Sequence, residues 1–399
     1  MRTIGVGERR ARLARRHLLL PADRTDDLPA LAEALVALHS SDPATVYLSA
    51  LARMRTPSLE AVATALYDDR SLVRHHAVRR TLWVTTPQTA RLLHAAATRR
   101  LVGPERRRTA KLLAVNGVED PEGWLDQAAA TTVATLDEHG PLTARDLGRL
   151  VPDLRQEIVT APGKPYSATV SAHTRVLLAL GFEGRVLRGR PTGTWVNGAY
   201  RYAAAHAWVD GGVEPGPDVL TEREAARELA LRWLQRFGPA TTTDLQWWTG
   251  WTGALTRQAL ADSGAVEVLV EGPGAGPAWV APGDEEPVPE PDVPWVAVLP
   301  GLDPTTMGWK ERGWYLPEPC AAVFDRMGNA GPTLWADGRV VGGWVQRRDG
   351  ELRTRLLEEV PDAVRRALAE RTEEVARWVG ETRFTVRFPS PVSAALFAD

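Results

Sequence analysis

Gly140-Pro141-Leu142-Thr143-Ala144-Arg145-Asp146-Leu147 recurs 98 residues later in the sequence as Gly238-Pro239-Ala240-Thr241-Thr242-Thr243-Asp244-Leu245. An amphipathic pattern that predicts a helix precedes each copy, at about 125–138 and 221–236. Thr143 and Thr241 lie where a helix N-cap is expected, and each has an aspartate three residues later, as in a capping pair. The repeat therefore predicts that one structural unit occurs at least twice in the chain.

Strand-like apolar residues follow both copies, at 184–188 and 266–270. After the first copy, residues 194–202 also predict a β-hairpin with a type I′ turn at Asn197-Gly198. Helices followed by a short hairpin are typical of the winged helix-turn-helix module. The repeat therefore predicts two such modules.

The N-terminal residues predict a third module of this kind. Asp42 followed by Pro43 is a strong helix start, because the aspartate can cap the helix and proline suits its first position. Helices are expected at about 7–18, 28–38, 43–55, 57–68 and 87–101, β-rich runs at 72–74 and 80–84, and a flexible basic stretch at 106–108. His75 and His76 are adjacent, so a strand points them to opposite faces and they cannot chelate one metal ion together.

The last third of the sequence predicts a small, mostly β domain. Residues 271–292 are acidic and rich in glycine and proline, which is typical of a solvated linker. Asp337-Gly338 and Asp349-Gly350 turns separate three strand-like runs, at 333–336, 340–347 and 351–357, which predict a β-meander. A helix at 361–379 and a last strand at 383–388 are expected after it. The fold class is therefore α+β: three tandem winged helix-turn-helix modules at 1–111, 112–215 and 216–282, followed by a C-terminal domain at 283–399.

The composition excludes several classes of protein. With 399 residues, of which 44% are hydrophobic and 25% charged, the chain can bury a core and is not disordered. The lone Cys320 excludes a disulfide framework, a cysteine-ligated zinc site and a four-cysteine iron–sulfur cluster. No apolar run approaches the length of a membrane span, and the N-terminus has no apolar signal core, so we expect a cytoplasmic protein.

The charge of the chain is unevenly distributed. Residues 1–111 hold 20 Lys+Arg and 10 Asp+Glu, a net of +10, and the remainder holds 28 and 40, a net of −12, which together give the net charge of −2. A basic N-terminal quarter on a near-neutral protein indicates a local surface for a polyanion. Almost all of these basic residues are arginines, whose planar guanidinium suits phosphate. DNA is therefore a candidate partner.

One polar cluster lies at a place suited to chemistry. His39, Ser40, Ser41 and Asp42 stand between two predicted helices, just before a helix N-terminus, whose N–H groups favour a phosphate or a polarised water. In an extended backbone His39 and Ser41 point the same way. The alternative is structural: Ser41 and Asp42 cap the helix, and His39 fills a half-buried position. The sequence has no His-Glu-x-x-His pattern, Walker loop, dinucleotide fingerprint or Gly-x-Ser-x-Gly elbow. We therefore expect no metal and no cofactor.

Five segments, in order, resemble the bacterial winged-helix DNA glycosylases of the AlkZ/YcaQ type, which remove bulky alkylated purines and unhook interstrand crosslinks. They are residues 38–43 (Leu-His-Ser-Ser-Asp-Pro), 78–83 (Val-Arg-Arg-Thr-Leu-Trp), 189–195, 299–305 and 335–344. The resemblance covers essentially the whole chain. It implies three winged helices around a basic concave surface and a C-terminal β-barrel-like domain.

The resemblance also implies which residues are catalytic, and the sequence departs from the family there. His39 and Ser41 occupy the two polar positions of a Gln-aliphatic-Gln or Gln-aliphatic-Asp motif, and Ser40 replaces the aliphatic centre. Arg80 and Trp83 replace a glycine and a histidine of the family's Arg-Gly-Thr-Leu-His stretch. By carry-over His39 and Ser41 are the catalytic candidates, and Asp42 and Trp83 are possible pocket residues.

The resulting expectation is a monofunctional DNA glycosylase, acting as a monomer on bulky N7-alkylguanine adducts in duplex DNA and protecting a producer of a DNA-alkylating natural product. The expected DNA contacts are Arg79, Arg80, Arg188, Arg190, Trp195, Tyr200 and Arg201. Trp195 and Tyr200 can equally belong to the core. Two other classes stay open: a winged-helix DNA-binding regulator and a catalytically inactive lesion-binding protein.

Overall fold

A computed structural model describes residues 1–161, 163–165 and 167–398 of the chain. The helices are α1 (Val6–Arg16), α2 (Leu28–Ala34), α3 (Pro43–Leu51), α4 (Leu59–Tyr67), α5 (Pro87–Leu93), α6 (Arg99–Val115), α7 (Pro121–His139), α8 (Ala144–Leu150), α9 (His173–Phe182), α10 (Ala205–Trp208), α11 (Glu222–Phe237), α12 (Thr242–Thr249), α13 (Gly253–Asp262), α14 (Asp362–Val379) and α15 (Pro391–Ala398). The strands are β1 (Thr3–Ile4), β2 (Leu38–His39), β3 (Val73–His76), β4 (Leu82–Thr85), β5 (Leu142–Thr143), β6 (Glu157–Thr160), β7 (Ala168–Ser171), β8 (Val186–Pro191), β9 (Tyr200–Ala204), β10 (Val266–Val270), β11 (Gly276–Val280), β12 (Val296–Leu299), β13 (Thr333–Ala336), β14 (Arg339–Gln346) and β15 (Leu352–Leu356). The fold is α+β, as predicted.

The chain divides into two compact units. Residues 66–225 form one of them, and residues 1–65 together with 226–399 form the other. The division into domains at 111, 215 and 282 stays a prediction. No helix in the described part of the chain has the length and apolarity that crossing a bilayer requires.

Both copies of the sequence repeat form the expected capped helix. The Thr143 hydroxyl accepts a hydrogen bond from the Asp146 N–H at 3.1 Å, at the start of α8. The Thr241 hydroxyl does the same for the Asp244 N–H at 3.1 Å, and the Asp244 carboxylate accepts from the Thr241 N–H at 2.9 Å. This reciprocal pair is a capping box at the start of α12. The prediction from local sequence is confirmed at both sites.

In the unit formed by residues 66–225, β9 lies between β5 and β8 in an antiparallel sheet. The predicted type I′ turn is wrong, because β8 ends at Pro191 and residues 192–199 form a longer connection. Asn197 and Gly198 lack the positive φ that such a turn requires. Instead the Asn197 side chain accepts a hydrogen bond from the Ala199 N–H at 2.8 Å, so the asparagine closes a turn of its own.

The basic stretch at 106–108 is also different from the prediction. It lies inside α6, which continues α5 through a π-helical turn at His94–Thr98. Arg106 forms ion pairs with Glu183, at 2.7 Å, and with Asp126. Both carboxylates are distant in sequence from residues 106–108. The local composition therefore predicted a flexible segment, because it could not show these ion-pair partners.

In the other unit, β10 pairs with β1 in parallel and with β11 antiparallel. β11 lies within residues 271–292, so the predicted solvated linker is partly wrong. The acidic part of that segment contacts α1: Asp284 pairs with Arg12 at 2.9 Å and with Arg16 at 2.6 Å. The charges that suggested solvation are therefore neutralised by arginines of a distant helix.

The C-terminal residues form a sheet in the order β12-β13-β14-β15, and the predicted meander is confirmed. Within the described residues this sheet is open, so the barrel-like expectation is wrong. α14 packs on β12, and α15 packs on β14. No strand forms at 383–388, because the segment is held by a side chain rather than by a neighbouring strand: Gln346 accepts from the Phe384 N–H at 2.9 Å and donates to the Thr382 carbonyl at 3.1 Å.

A buried ion pair holds α3 in place. Both side chains, Arg53 and Asp303, are 0% exposed, and their two parallel hydrogen bonds measure 2.8 and 2.9 Å. Ser49 of α3 donates to the same carboxylate at 2.6 Å, and Arg53 also donates to the His17 carbonyl at 2.9 Å. Thr45 donates to the Gly301 carbonyl at 2.6 Å. The nine residues of α3 are all buried, so this network fixes the helix against residues 301–305.

We predict that Asp303→Asn lowers the free energy of unfolding by about 3–5 kcal/mol, because it leaves the Arg53 charge buried without a counter-ion. Urea unfolding measures the loss. Asp349→Asn, at an exposed turn, is the control and changes stability by less than about 0.5 kcal/mol. The double variant Arg53→Met/Asp303→Leu is less destabilised than Asp303→Asn. A loss under about 1 kcal/mol for Asp303→Asn contradicts the role given to the pair.

Two adjacent histidines of β3 are buried and neutral. Burial, with a smaller contribution from His94 for His75 and from Arg188 for His76, lowers the pKa of both histidines to about 3. His76 stacks on Phe182 with ring centroids 4.8 Å apart. Because the folded-state pKa lies below the unfolded value near 6.5, the stability from keeping these rings neutral is complete above that pH and is lost as pH falls towards 3.

Between pH 7.5 and pH 5 we therefore predict a loss of about 2 kcal/mol of unfolding free energy per histidine. His76→Leu reduces the loss on acidification, whereas Met327→Leu, at an exposed side chain that does not titrate, leaves it unchanged. Denaturant unfolding at the two pH values measures the difference. An equal pH dependence in wild type and His76→Leu contradicts the assignment.

Candidate active site

The motif residues lie where α2 turns into α3. α2 ends at Ala34, and Val36 takes a left-handed conformation (φ 61°), a strained one for a β-branched residue. The chain then forms β2 and bends at Ser41 and Asp42 before α3. His39 and Ser40 are buried, and Ser41 and Asp42 are half-buried. β2 therefore ends at His39, and Asp42, the residue before α3, has extended backbone angles (φ −106°, ψ 120°).

The His39 ring is oriented by the main chain of the motif. Its Nδ1 accepts a hydrogen bond from the Ser41 N–H at 3.3 Å. A ring nitrogen that accepts is unprotonated, so the neutral His39 carries its proton on Nε2. In this tautomer Nε2–H is a hydrogen-bond donor.

Asp42 caps α3, as expected from its position before Pro43. Its carboxylate accepts from the Ala44 N–H at 3.1 Å. Desolvation by burial raises the pKa of Asp42, and hydrogen bonds from Ala44 and Arg387 and the charge of Arg387 oppose the rise. Asp42 and Thr45 also line a small cleft together with Gly301, Trp344 and Phe384.

Arg387 is a residue that the sequence reasoning missed. Its guanidinium donates from Nη1 to the Ser41 carbonyl at 2.9 Å. No sequence signal could have placed it there, because 346 residues separate the two positions. The structure thus adds one cation to the His39, Ser41 and Asp42 group.

Trp83 is buried, with 1% of its surface exposed. Its indole N–H donates to the Thr81 hydroxyl at 2.8 Å and to the Val78 carbonyl at 3.2 Å. These bonds close the turn between β3 and β4. Its possible place in a lesion pocket stays a prediction.

That same turn holds two consecutive arginines in the left-handed region, Arg79 at φ 53° and Arg80 at φ 61°. Glycine adopts this conformation without strain, whereas arginine does not. The Arg80 side chain is 44% exposed and lies 3.5 Å from the buried carboxylate of Glu105. The turn therefore places a guanidinium at the surface at the cost of backbone strain.

Arginine and tyrosine side chains of α4, β3, β8 and β9 stack on one another in the 66–225 unit. The Arg188 and Arg74 guanidiniums lie 5.6 and 4.5 Å from the Tyr200 ring, and that of Arg190 lies 4.9 Å from the Tyr67 ring. Arg74 also donates to the Tyr67 hydroxyl at 2.8 Å. Tyr200 is therefore a buried ring that stacks with Arg74 and Arg188, in agreement with the core position that the sequence left open for it.

The remaining predicted DNA contacts differ in exposure. Arg190 is exposed but binds the Asp68 carboxylate with two hydrogen bonds, at 2.7 and 2.9 Å. Trp195 is half-buried, and Arg201 is exposed on β9. In the described part of the chain, no group of three or more His, Cys, Asp and Glu side chains is placed to hold a metal ion.

Residues 32–378, which include the motif, match the family model described as DNA glycosylase AlkZ-like. The chain belongs to the AlkZ-like DNA glycosylase family. It is therefore a DNA-repair glycosylase whose substrate is DNA. The predicted winged-helix α+β fold agrees with the solved structure of Streptomyces sahachiroi DNA glycosylase AlkZ, to which it is similar with a TM-score of 0.72. That match has 24% sequence identity and covers 97% of this chain and 100% of that chain. No match was found among curated proteins.

The strain at Arg80 gives a prediction that is independent of DNA. Arg80→Gly and Arg80→Ala both remove the guanidinium and its contact with Glu105, and only glycine adopts φ 61° freely. The glycine variant of this AlkZ-like glycosylase is therefore more stable than the alanine variant by about 1 kcal/mol. Thermal unfolding of the two variants measures the difference. An alanine variant as stable as the glycine variant shows that the turn is not strained.

Proposed function

We propose that this glycosylase hydrolyses the N-glycosidic bond of bulky N7-alkylguanine adducts in duplex DNA, with His39 and Ser41 as the catalytic residues. The observation that carries the proposal is the hydrogen-bonded placement of His39 and Ser41 before α3, at the motif positions of an AlkZ-like chain. Both side chains can hydrogen-bond, as the family's glutamines can.

The chemistry of the adduct suits this site. An N7-alkylated guanine carries a positive charge and is already a good leaving group, so little general acid is needed. The site must place a water and tolerate a positively charged, oxocarbenium-like sugar. His39 is the residue proposed to hold or deprotonate that water. The half-buried Ser41 hydroxyl can orient the water or the deoxyribose, and the Asp42 carboxylate supplies negative charge beside the sugar.

The remaining parts of the proposal concern the DNA and the biological role. Arg79, Arg80 and Arg201 are proposed to contact phosphates, and of these Arg80 and Arg201 are exposed whereas Arg79 is half-buried. Arg188, Arg190 and Trp195 support the same surface, and Trp83 shapes the lesion pocket. We further propose a monomer in the cytoplasm that cleaves no strand itself and gives self-resistance to a DNA-alkylating natural product. The near absence of lysine, the usual Schiff-base nucleophile, supports a monofunctional enzyme.

The test uses a duplex with one bulky N7-alkylguanine adduct and an excess of enzyme. We predict release of the adducted base above the spontaneous rate, and strand breaks only after alkali. His39→Ala slows release by about 100-fold or more, the size of effect expected for a residue that handles the water. His139→Ala, at an exposed histidine, is the control and keeps the wild-type rate.

Each contrary result has its own meaning. Wild-type release that persists in His39→Ala removes the motif from catalysis. Tight adduct binding without release supports the inactive lesion-binding protein. Strong preference for one undamaged sequence supports the regulator.

A further inference from the structure

The segment at 381–390 lies outside residues 32–378, the part that matches the family model, and yet it borders the motif. It has no regular secondary structure, but it is fixed in place. Gln346 of β14 bonds to the main chain of both Thr382 and Phe384, and the Phe384 ring meets the Trp344 ring edge-on at 6.2 Å. The segment is therefore a built part of the fold.

Arg387 contacts the motif in two ways. Its side chain donates to the Ser41 carbonyl at 2.9 Å, and its main chain and its charge act on the Asp42 carboxyl, whose pKa they lower. The bond to Ser41 ties the bend between β2 and α3 to the C-terminal segment. It acts on the residue whose N–H orients the His39 ring.

The contact with the Ser41 carbonyl does not neutralise the charge of Arg387. A carbonyl accepts a hydrogen bond without neutralising a guanidinium, which has five N–H donors in a rigid fork. The charged group known to face it is Asp42, which also caps α3 through the Ala44 N–H. Arg387 is itself exposed, so the rest of its fork lies at the surface beside the motif.

We propose that Arg387 is a positioning residue of the glycosylase, which fixes the Ser41 carbonyl with one N–H and binds a DNA phosphate beside the target nucleotide with others. Arginine suits both tasks at once because its planar fork bonds to phosphate in a bidentate manner. The phosphate contact places the scissile bond relative to the motif. This inference rests on the proposed function of His39 and Ser41.

The test compares Arg387→Gln, Arg387→Lys and the control Arg383→Gln. Arg383 is an exposed arginine of the same segment and bonds to the main chain at Gly380, Thr382 and Asp349. Two quantities are measured on adducted duplex: the single-turnover rate of base release, and the slope of log K against log salt for binding. Thermal unfolding checks that each variant is folded.

We expect Arg387→Gln to slow base release by about 100-fold, the effect of a small misplacement of reacting groups. It also reduces the magnitude of the salt slope by about 0.9, the value for one phosphate contact. Arg387→Lys keeps the salt slope, because it keeps the charge, but recovers the rate only in part, since a point charge cannot bridge carbonyl and phosphate. Arg383→Gln keeps the wild-type rate.

Unchanged rate and slope in a folded Arg387→Gln overturn the proposal. A lower rate with an unchanged slope also overturns it, because the residue then acts only within the protein. If the wild type releases no base from the adduct, the proposed function fails by itself. The salt slopes for binding then still decide whether Arg387 contacts a phosphate.

Discussion

The paired hydrogen bonds between Arg53 and Asp303 are the constraint on which the candidate site depends. A fully buried guanidinium is tolerated only when its charge and its N–H groups are satisfied, and here Asp303, Thr305 and two carbonyls of the chain supply the partners. The pair joins the end of α3 to residues 301–305. With Thr45 bonded to Gly301 near the other end, α3 has little freedom to move, so the bend that carries Ser41 and Asp42 begins from a fixed helix.

His39 and Arg80, two departures from the family resemblance, each have a physical consequence in the structure. The His39 imidazole is held by the Ser41 main chain, so its orientation depends on the backbone bend rather than on a neighbouring side chain. Arg80 stands in a left-handed turn that suits glycine, and it brings a cation to the surface at the cost of strain. Backbone strain of this kind occurs mainly at positions whose side chains have a function. The proposed phosphate contact of Arg80 would be such a function.

Much of the fold could be predicted because its signals are local. The threonine caps at Thr143 and Thr241, the Asp42-Pro43 helix start and the Asp-Gly turns of the meander depend on residues a few positions apart. The predictions were wrong where contacts with residues distant in sequence determine the local structure. The segment predicted as a linker contains β11 and forms ion pairs with α1, and the stretch at 106–108 is helical, with Arg106 paired to Glu183. The candidates His39 and Asp42 come from local sequence and stay predictions, whereas Arg387 comes from the far end of the chain and carries no local signal.

The central claim is that an AlkZ-like chain with histidine and serine in the motif still breaks an N-glycosidic bond. Mass spectrometry of a single-turnover reaction, with enzyme in excess over a duplex bearing one bulky N7-alkylguanine, tests it most directly. We predict free adducted base and an intact strand with one abasic site, in equal amounts. Recovery of the adduct still attached to DNA, in a stable complex with the protein, would contradict it.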